Sequence, residues 1–207
     1  MDRGFALYNR SARQTTSART LDGFSYLSVL LSIVLGLGVA NLLTGFARVI
    51  QMRARVKLYL PVLLWAFTLV LMHIQTWWMM YGMQHVPAWT FGKFALVLLQ
   101  PVLLFFLSAL IWPDFDRDEA LDLKANYYAQ TRWFFGILIA ILLFSLLREY
   151  VLAGHLQNPV DFSFHLVGIV GFAGGAIFTN ERYHEWNAPI VAATFVVYIG
   201  TLFAQLQ

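Results

Sequence analysis

Charged residues divide this chain into long uncharged intervals, and the intervals set its architecture. There are 25 uncharged residues between Asp22 and Arg48, 35 between Lys57 and Lys93, and 20 between Lys93 and Asp114. The later intervals are 15 from Arg132 to Arg148, 19 from Asp161 to Glu181, and 22 after Glu185. A helix needs about 20 apolar residues to cross about 30 Å of hydrocarbon. The pattern predicts six spans, over residues 24–47, 58–82, 92–112, 133–152, 162–179 and 188–206. Backbone groups in lipid must be paired within their own segment, which selects helix, and the alternation of a membrane barrel is absent. The expected fold is an all-α, polytopic transmembrane bundle filling residues 22–207.

The polar stretches between these runs carry their own signals. Residues 1–21 mix Arg3, Arg10, Arg13 and Arg19 with serines and threonines, and read as a disordered basic tail or an organellar leader. In the 113–132 loop, Asp116 and Glu119 have capping-box spacing, and Leu121, Lys124, Tyr127, Tyr128 and Thr131 follow at helical intervals. That predicts a short interfacial helix ahead of the fourth span, with its tyrosines at headgroup depth. Trp77, Trp78, Tyr81, Trp89, Trp112 and Trp186 near other span ends read as membrane anchors.

Composition strengthens this picture. The 207 residues are 59% hydrophobic and 12% charged, with a mean hydropathy of +0.65, whereas a soluble domain carries about 25% charged residues. The absence of cysteine excludes disulfides, thiolate metal centres and a cysteine nucleophile. The net charge of +3 comes from arginines flanking apolar runs, which suits anionic lipid and span orientation rather than nucleic acid. The dense turn of Arg53, Arg55 and Lys57 favours a cytoplasmic position, placing both termini outside, although the basic tail argues the other way.

Four segments carry a resemblance: Phe24 to Leu30, Gly36-Leu37-Gly38, Leu121 to Lys124, and Arg132 to Gly136. Together they resemble a family of small bacterial six-helix inner-membrane proteins of uncharacterised activity. The resemblance implies a bacterial inner membrane and brings no activity, cofactor or site residue with it.

Several polar residues inside the apolar runs are candidates for chemistry. Thr194, Tyr198, Thr201 and Gln205 fall on one stripe of the sixth span. Asn41 lies in the first span, His73 and Gln75 in the second, and Gln100 in the third. Ionisable and amide groups at such depth either join helices or line a polar path. Gly38, Gly45, Gly168, Gly171 and Gly175 read as close-packing positions, with Gly171 and Gly175 forming a GxxxG pair. His73 is expected inside the bundle beside a polar side chain of another span. Arg148 and Glu149, late in the fourth span, are expected as interfacial charges that reach the headgroups.

Other motifs fail their own geometry. Asp114, Asp116 and Asp118 imitate a calcium loop, but Glu119 stands where glycine is needed and Ala125 where glutamate is needed. Glu181, His184 and Glu185 lack zinc-protease spacing. No metal, cofactor or catalytic residue is assigned. The leading expectation is a small channel or transporter, homo-oligomeric or paired with another membrane subunit. A non-catalytic membrane scaffold or accessory subunit comes second, and a membrane enzyme or haem protein third.

Overall fold

Absence of proline from the first 51 residues permits one long helix, and α1 runs from Arg3 to Gln51. In this computed structural model the described backbone covers residues 3–86, 88–115, 121–154 and 159–205. Side-chain surroundings are described from Phe24 to Thr201, apart from positions 85, 87, 116–120, 153 and 155–158. The backbone of the expected disordered tail is thus helical from Arg3, while its side chains lie outside the described residues.

The remaining helices begin and end where local chemistry directs. Helix α2 (Leu60–Gly82) carries Pro61 in its first turn, where a missing N–H leaves no intrahelical bond unmade. Helix α3 (Phe91–Leu110) is capped by Thr90, whose hydroxyl accepts the Lys93 N–H at 3.3 Å. Asp122 caps α4 (Leu123–Ala153) by accepting the Ala125 N–H at 3.0 Å. That bond, aided by Lys57, holds the Asp122 carboxyl below its ordinary range. Gly154 ends α4 in the left-handed conformation that glycine tolerates, with φ 76°. Helices α5 (Pro159–Ile177) and α6 (Glu181–Gln205) complete the bundle.

Two features depart from the sequence pattern. Among the described residues the interfacial helix expected between 113 and 132 is not separate from the fourth span, because residues 123–132 are the opening turns of α4. With no proline and only Gly136 between Leu123 and Ala153, nothing interrupts that helix. The Asp116–Glu119 capping box lies outside the described residues. In addition, among the described residues five helices are long and apolar enough to cross a membrane: Phe24–Gln51 of α1, α2, α3, Leu123–Leu152 of α4, and α5. The first two turns of α6 hold Glu181, Arg182, His184, Glu185 and Asn187, which shortens its apolar run.

Helix α1 packs on α3 and α2, α4 on α5 and α3, and α6 on α2. Trp65 of α2 meets Phe134 and Phe135 of α4 edge-on, with ring centroids 5.3 and 5.5 Å apart. Glycines make the close approaches possible. Gly38 faces the His73 ring, and Gly45 faces Trp112. A methyl group added at Gly168 would meet Leu142 at 2.9 Å, and at Gly175 it would meet Phe135 at 2.6 Å. Gly171 differs from its GxxxG partner, since the nearest atom there is the Asn187 amide of α6 at 3.8 Å.

The end formed by the C-terminus of α1 and the N-termini of α2, α4 and α6 is tied by polar links. Strands β1 (Val56–Lys57) and β2 (Leu121–Asp122) pair in parallel. Lys57 lies 3.7 Å from Asp122, and Lys124 pairs with Glu181. The Tyr59 hydroxyl sits 3.3 Å from that of Tyr128, and burial with this neighbour raises the Tyr59 phenol above its ordinary range.

Candidate functional site

Arg148 is the chemically most unusual residue of the bundle. It lies five residues before the end of α4, yet only 3% of it is exposed. Side chains on a helix tilt toward its N-terminus, so Arg148 extends back into the bundle rather than out to the nearer end. Its Nη1 donates to Oε1 of Gln100, and its Nη2 donates to Oγ of Ser145 at 3.4 Å. Gln100 in turn donates to Thr76 at 3.1 Å. The expected interfacial role for Arg148 is therefore corrected: a guanidinium links α2, α3 and α4 through neutral partners. Glu149 is half-buried, and among the described residues no carboxylate forms a salt bridge with Arg148.

The other polar residues predicted from sequence do not join this chain of bonds. Asn41 of α1 donates to Ser108 of α3 at 3.3 Å, and Gln75 donates to the sulfur of Met79 at 3.2 Å. His73 is only 1% exposed, inside the bundle, but the expected polar partner from another span is absent. Its Nδ1 bonds to the Leu69 carbonyl at 2.7 Å, and its Nε2 packs against Gly38 without a partner. The carbonyl four residues back takes the one bond formed, and Gly38 leaves space for the ring rather than a donor. Thr201 is exposed and bonds back to the Tyr198 carbonyl at 2.7 Å. The Gln205 side chain lies outside the described residues.

Thr194 and Tyr198 instead line a cavity of about 170 Å³ between α2, α4, α5 and α6. Thr68, His165, Gly171 and Asn187 share its wall with aromatic and aliphatic side chains. Arg148 and Asp161 both act electrostatically on Tyr198, which relates the cavity to the arginine cluster. The sequence stripe on α6 thus divides, with two members on the cavity and Thr201 outside it. Ser108, Ser145, Asn187 and the cavity role of His165 escaped sequence reasoning. The available signals were Ser145 one turn before Arg148, and an imidazole one turn into an apolar run.

At the tied end, His184 is fully buried. Its Nε2 donates to the Phe178 carbonyl at 2.8 Å, leaving Nδ1 to accept the Tyr127 hydroxyl at 2.9 Å. Burial lowers the His184 imidazole below its ordinary range, with the Phe178 bond opposing the shift. Among the described residues, no group of three or more histidines and carboxylates is arranged to hold a metal ion. No protein-family description, curated protein or solved structure matches the chain.

Proposed function

We propose that this chain is a multi-pass protein of a bacterial inner membrane and acts as a small transporter or channel, with Arg148 as its internal station. Five helices have the length and apolar character for spanning, and their exposed side chains include Leu37, Phe67, Ile74, Leu143 and Val167. Their exposure suits contact with lipid. The observation that carries the functional reading is Arg148 itself. A buried cation is costly at membrane depth and marks a functional position. Its guanidinium has five N–H donors, and two hydrogen bonds are made, both to uncharged side chains. A visiting anion would supply the missing negative charge and displace Gln100 or Ser145. Asn41, His73, Gln75, Thr194 and Tyr198 remain candidate contacts along the route.

Flux into proteoliposomes tests this reading, using chloride, phosphate and small carboxylates as cargo. Wild-type protein should carry at least one of them, and Arg148→Gln should abolish that flux while remaining folded. Undiminished flux in folded Arg148→Gln would remove Arg148 from the mechanism. The turn of Arg53, Arg55 and Lys57 is assigned to the cytoplasm, and single cysteines placed there in the cysteine-free chain should resist external labelling in intact cells.

A second reading, a membrane scaffold, draws on a different surface. Ser32, Gly36 and Ala40 recur every four residues on α1 and line an open groove against α2. An added methyl at Gly36 would meet nothing within 4 Å. Such a small-residue stripe suits close approach by another membrane helix, from a second copy or a partner subunit. Loss of all solute flux in wild type, with a stable oligomer retained, would favour this reading.

A further inference from the structure

We propose that the cavity between α2, α4, α5 and α6 binds a neutral, ring-sized apolar molecule carrying one hydroxyl, an alcohol or a phenol. The hydroxyl donates to Nε2 of His165. This inference stands apart from the Arg148 station and does not require transport.

Size and lining define the body of the ligand. An apolar protein cavity of about 150 Å³ holds one benzene ring, and this cavity is about 170 Å³. Met72, Leu142, Phe164, Phe172, Val191 and Phe195 supply apolar walls. Among the described residues no charged side chain lines it, so a charged ligand would lose hydration without a compensating partner.

One reachable acceptor defines the ligand's hydrogen-bonding group. The Nδ1 of His165 bonds to the Asp161 carbonyl at 2.8 Å, and among the described residues His165 makes no other hydrogen bond. A carbonyl only accepts, so Nδ1 carries the proton and Nε2 presents a bare lone pair. The Asn187 amide is oriented in the same way, because its Nδ2 donates to the Gly171 carbonyl at 3.2 Å and to Tyr183 at 3.1 Å. Its Oδ1 is buried and lacks a donor. Both side chains line the cavity, but the Asn187 Oδ1 is enclosed by protein, so the His165 Nε2 is the acceptor left for a ligand. A ligand bearing only acceptors, such as a ketone or an ester, would leave this lone pair unmatched. A hydroxyl satisfies it, and the Tyr198 and Thr194 hydroxyls can turn to complete its remaining bonds.

The mouth fixes the route of entry. Val167 and Ile190 line the cavity and are also 64% and 57% exposed on the outer surface. They place the opening between α5 and α6, on the apolar flank of the bundle. The hydroxyl could thus come from a small phenol dissolved in the bilayer, or from the end of a longer chain whose tail remains in lipid.

The test uses full-length protein in phosphatidylcholine nanodiscs, with 4-fluorophenol, fluorobenzene and 1-decanol as probes. Saturable binding is read by fluorine NMR, and Thr194→Phe, or Val191→Phe as a second cavity filler, gives the nonspecific background. Wild type should bind 4-fluorophenol roughly fivefold more tightly than fluorobenzene, the effect of one added hydrogen bond. His165→Phe should erase that preference while still binding both rings. Displacement of 4-fluorophenol by 1-decanol would assign the site to chain-borne hydroxyls, and its absence to small phenols. Equal binding of the two rings, a preference that survives His165→Phe, or no saturable binding of any probe would each overturn the proposal.

Discussion

His184 and His165 are both buried histidines on neighbouring helices, yet their rings are treated differently. Each nitrogen of His184 has a partner, Tyr127 on one side and the Phe178 carbonyl on the other. His165 has a single bond, to the carbonyl of its own helix. The same contrast extends outward. Around His184 lie the Lys124–Glu181 pair, the β1–β2 ladder and the Tyr59–Tyr128 contact. Toward the other end, Arg148 hydrogen-bonds only to neutral side chains, His165 lines a cavity with one ring nitrogen unmatched, and the enclosed Asn187 Oδ1 lacks a donor. Around His184 polar groups fix helices in place, whereas Arg148 and His165 hold hydrogen-bonding capacity in reserve.

Packing changes should produce the largest effects. Gly175→Leu would drive a side chain into Phe135 and should cost about 3 kcal/mol or more by overpacking. Gly36→Leu, at a position with open space around it, should stay within about 0.5 kcal/mol. Melting of both variants in nanodiscs would check the pair, and a tolerant Gly175 would mean that α4 and α5 are not closely apposed.

Hydroxyl deletions should separate the two regions next. Tyr127→Phe leaves His184 Nδ1 buried without a donor and should cost about 1–2 kcal/mol. Tyr198→Phe removes a cavity hydroxyl that makes no hydrogen bond among the described residues and should change stability by less than about 0.5 kcal/mol. Comparable losses in the two melts would erase the distinction between the regions.

Acid should weaken the tied end. His184 is lowered from its ordinary value of 6.5, so both folded and unfolded forms are neutral above that pH. Below it the unfolded chain takes up a proton first, and stability falls as pH drops through 6.5 toward the folded value. The slope should approach, and not exceed, about 1.4 kcal/mol per pH unit for this one group. His184→Gln should flatten the profile between pH 7 and 5, and an unchanged profile would assign the acid sensitivity elsewhere.

How much of this was legible in the sequence depended on the range of the interaction. Uncharged runs fix helix positions because each span satisfies its own backbone: α2, α3 and α5 match the predicted intervals to within a few residues, whereas α1 and α4 begin well before theirs. The interfacial helix was misplaced because periodicity cannot tell a short helix from the opening turns of a long one. Arg148 was misread for a related reason: its nearness to the end of α4 is local, whereas its burial depends on Gln100 of α3 and on the direction of Cβ. The α6 stripe divides because α5 covers Thr194 and Tyr198 but not Thr201. Gly171 and Gly175 share a motif, yet they face α6 and α4 respectively.

The thermal stability of Arg148→Gln in nanodiscs tests the contrast most directly. If Arg148 is held for function, removing its charge relieves a desolvation cost of several kcal/mol. The glutamine amide can still donate a hydrogen bond to its neighbours. The account predicts a variant at least as stable as wild type, whose melt is unchanged or shifted upward. A loss of about 2 kcal/mol or more would make Arg148 a structural tie like His184, and would contradict the division drawn between the two regions.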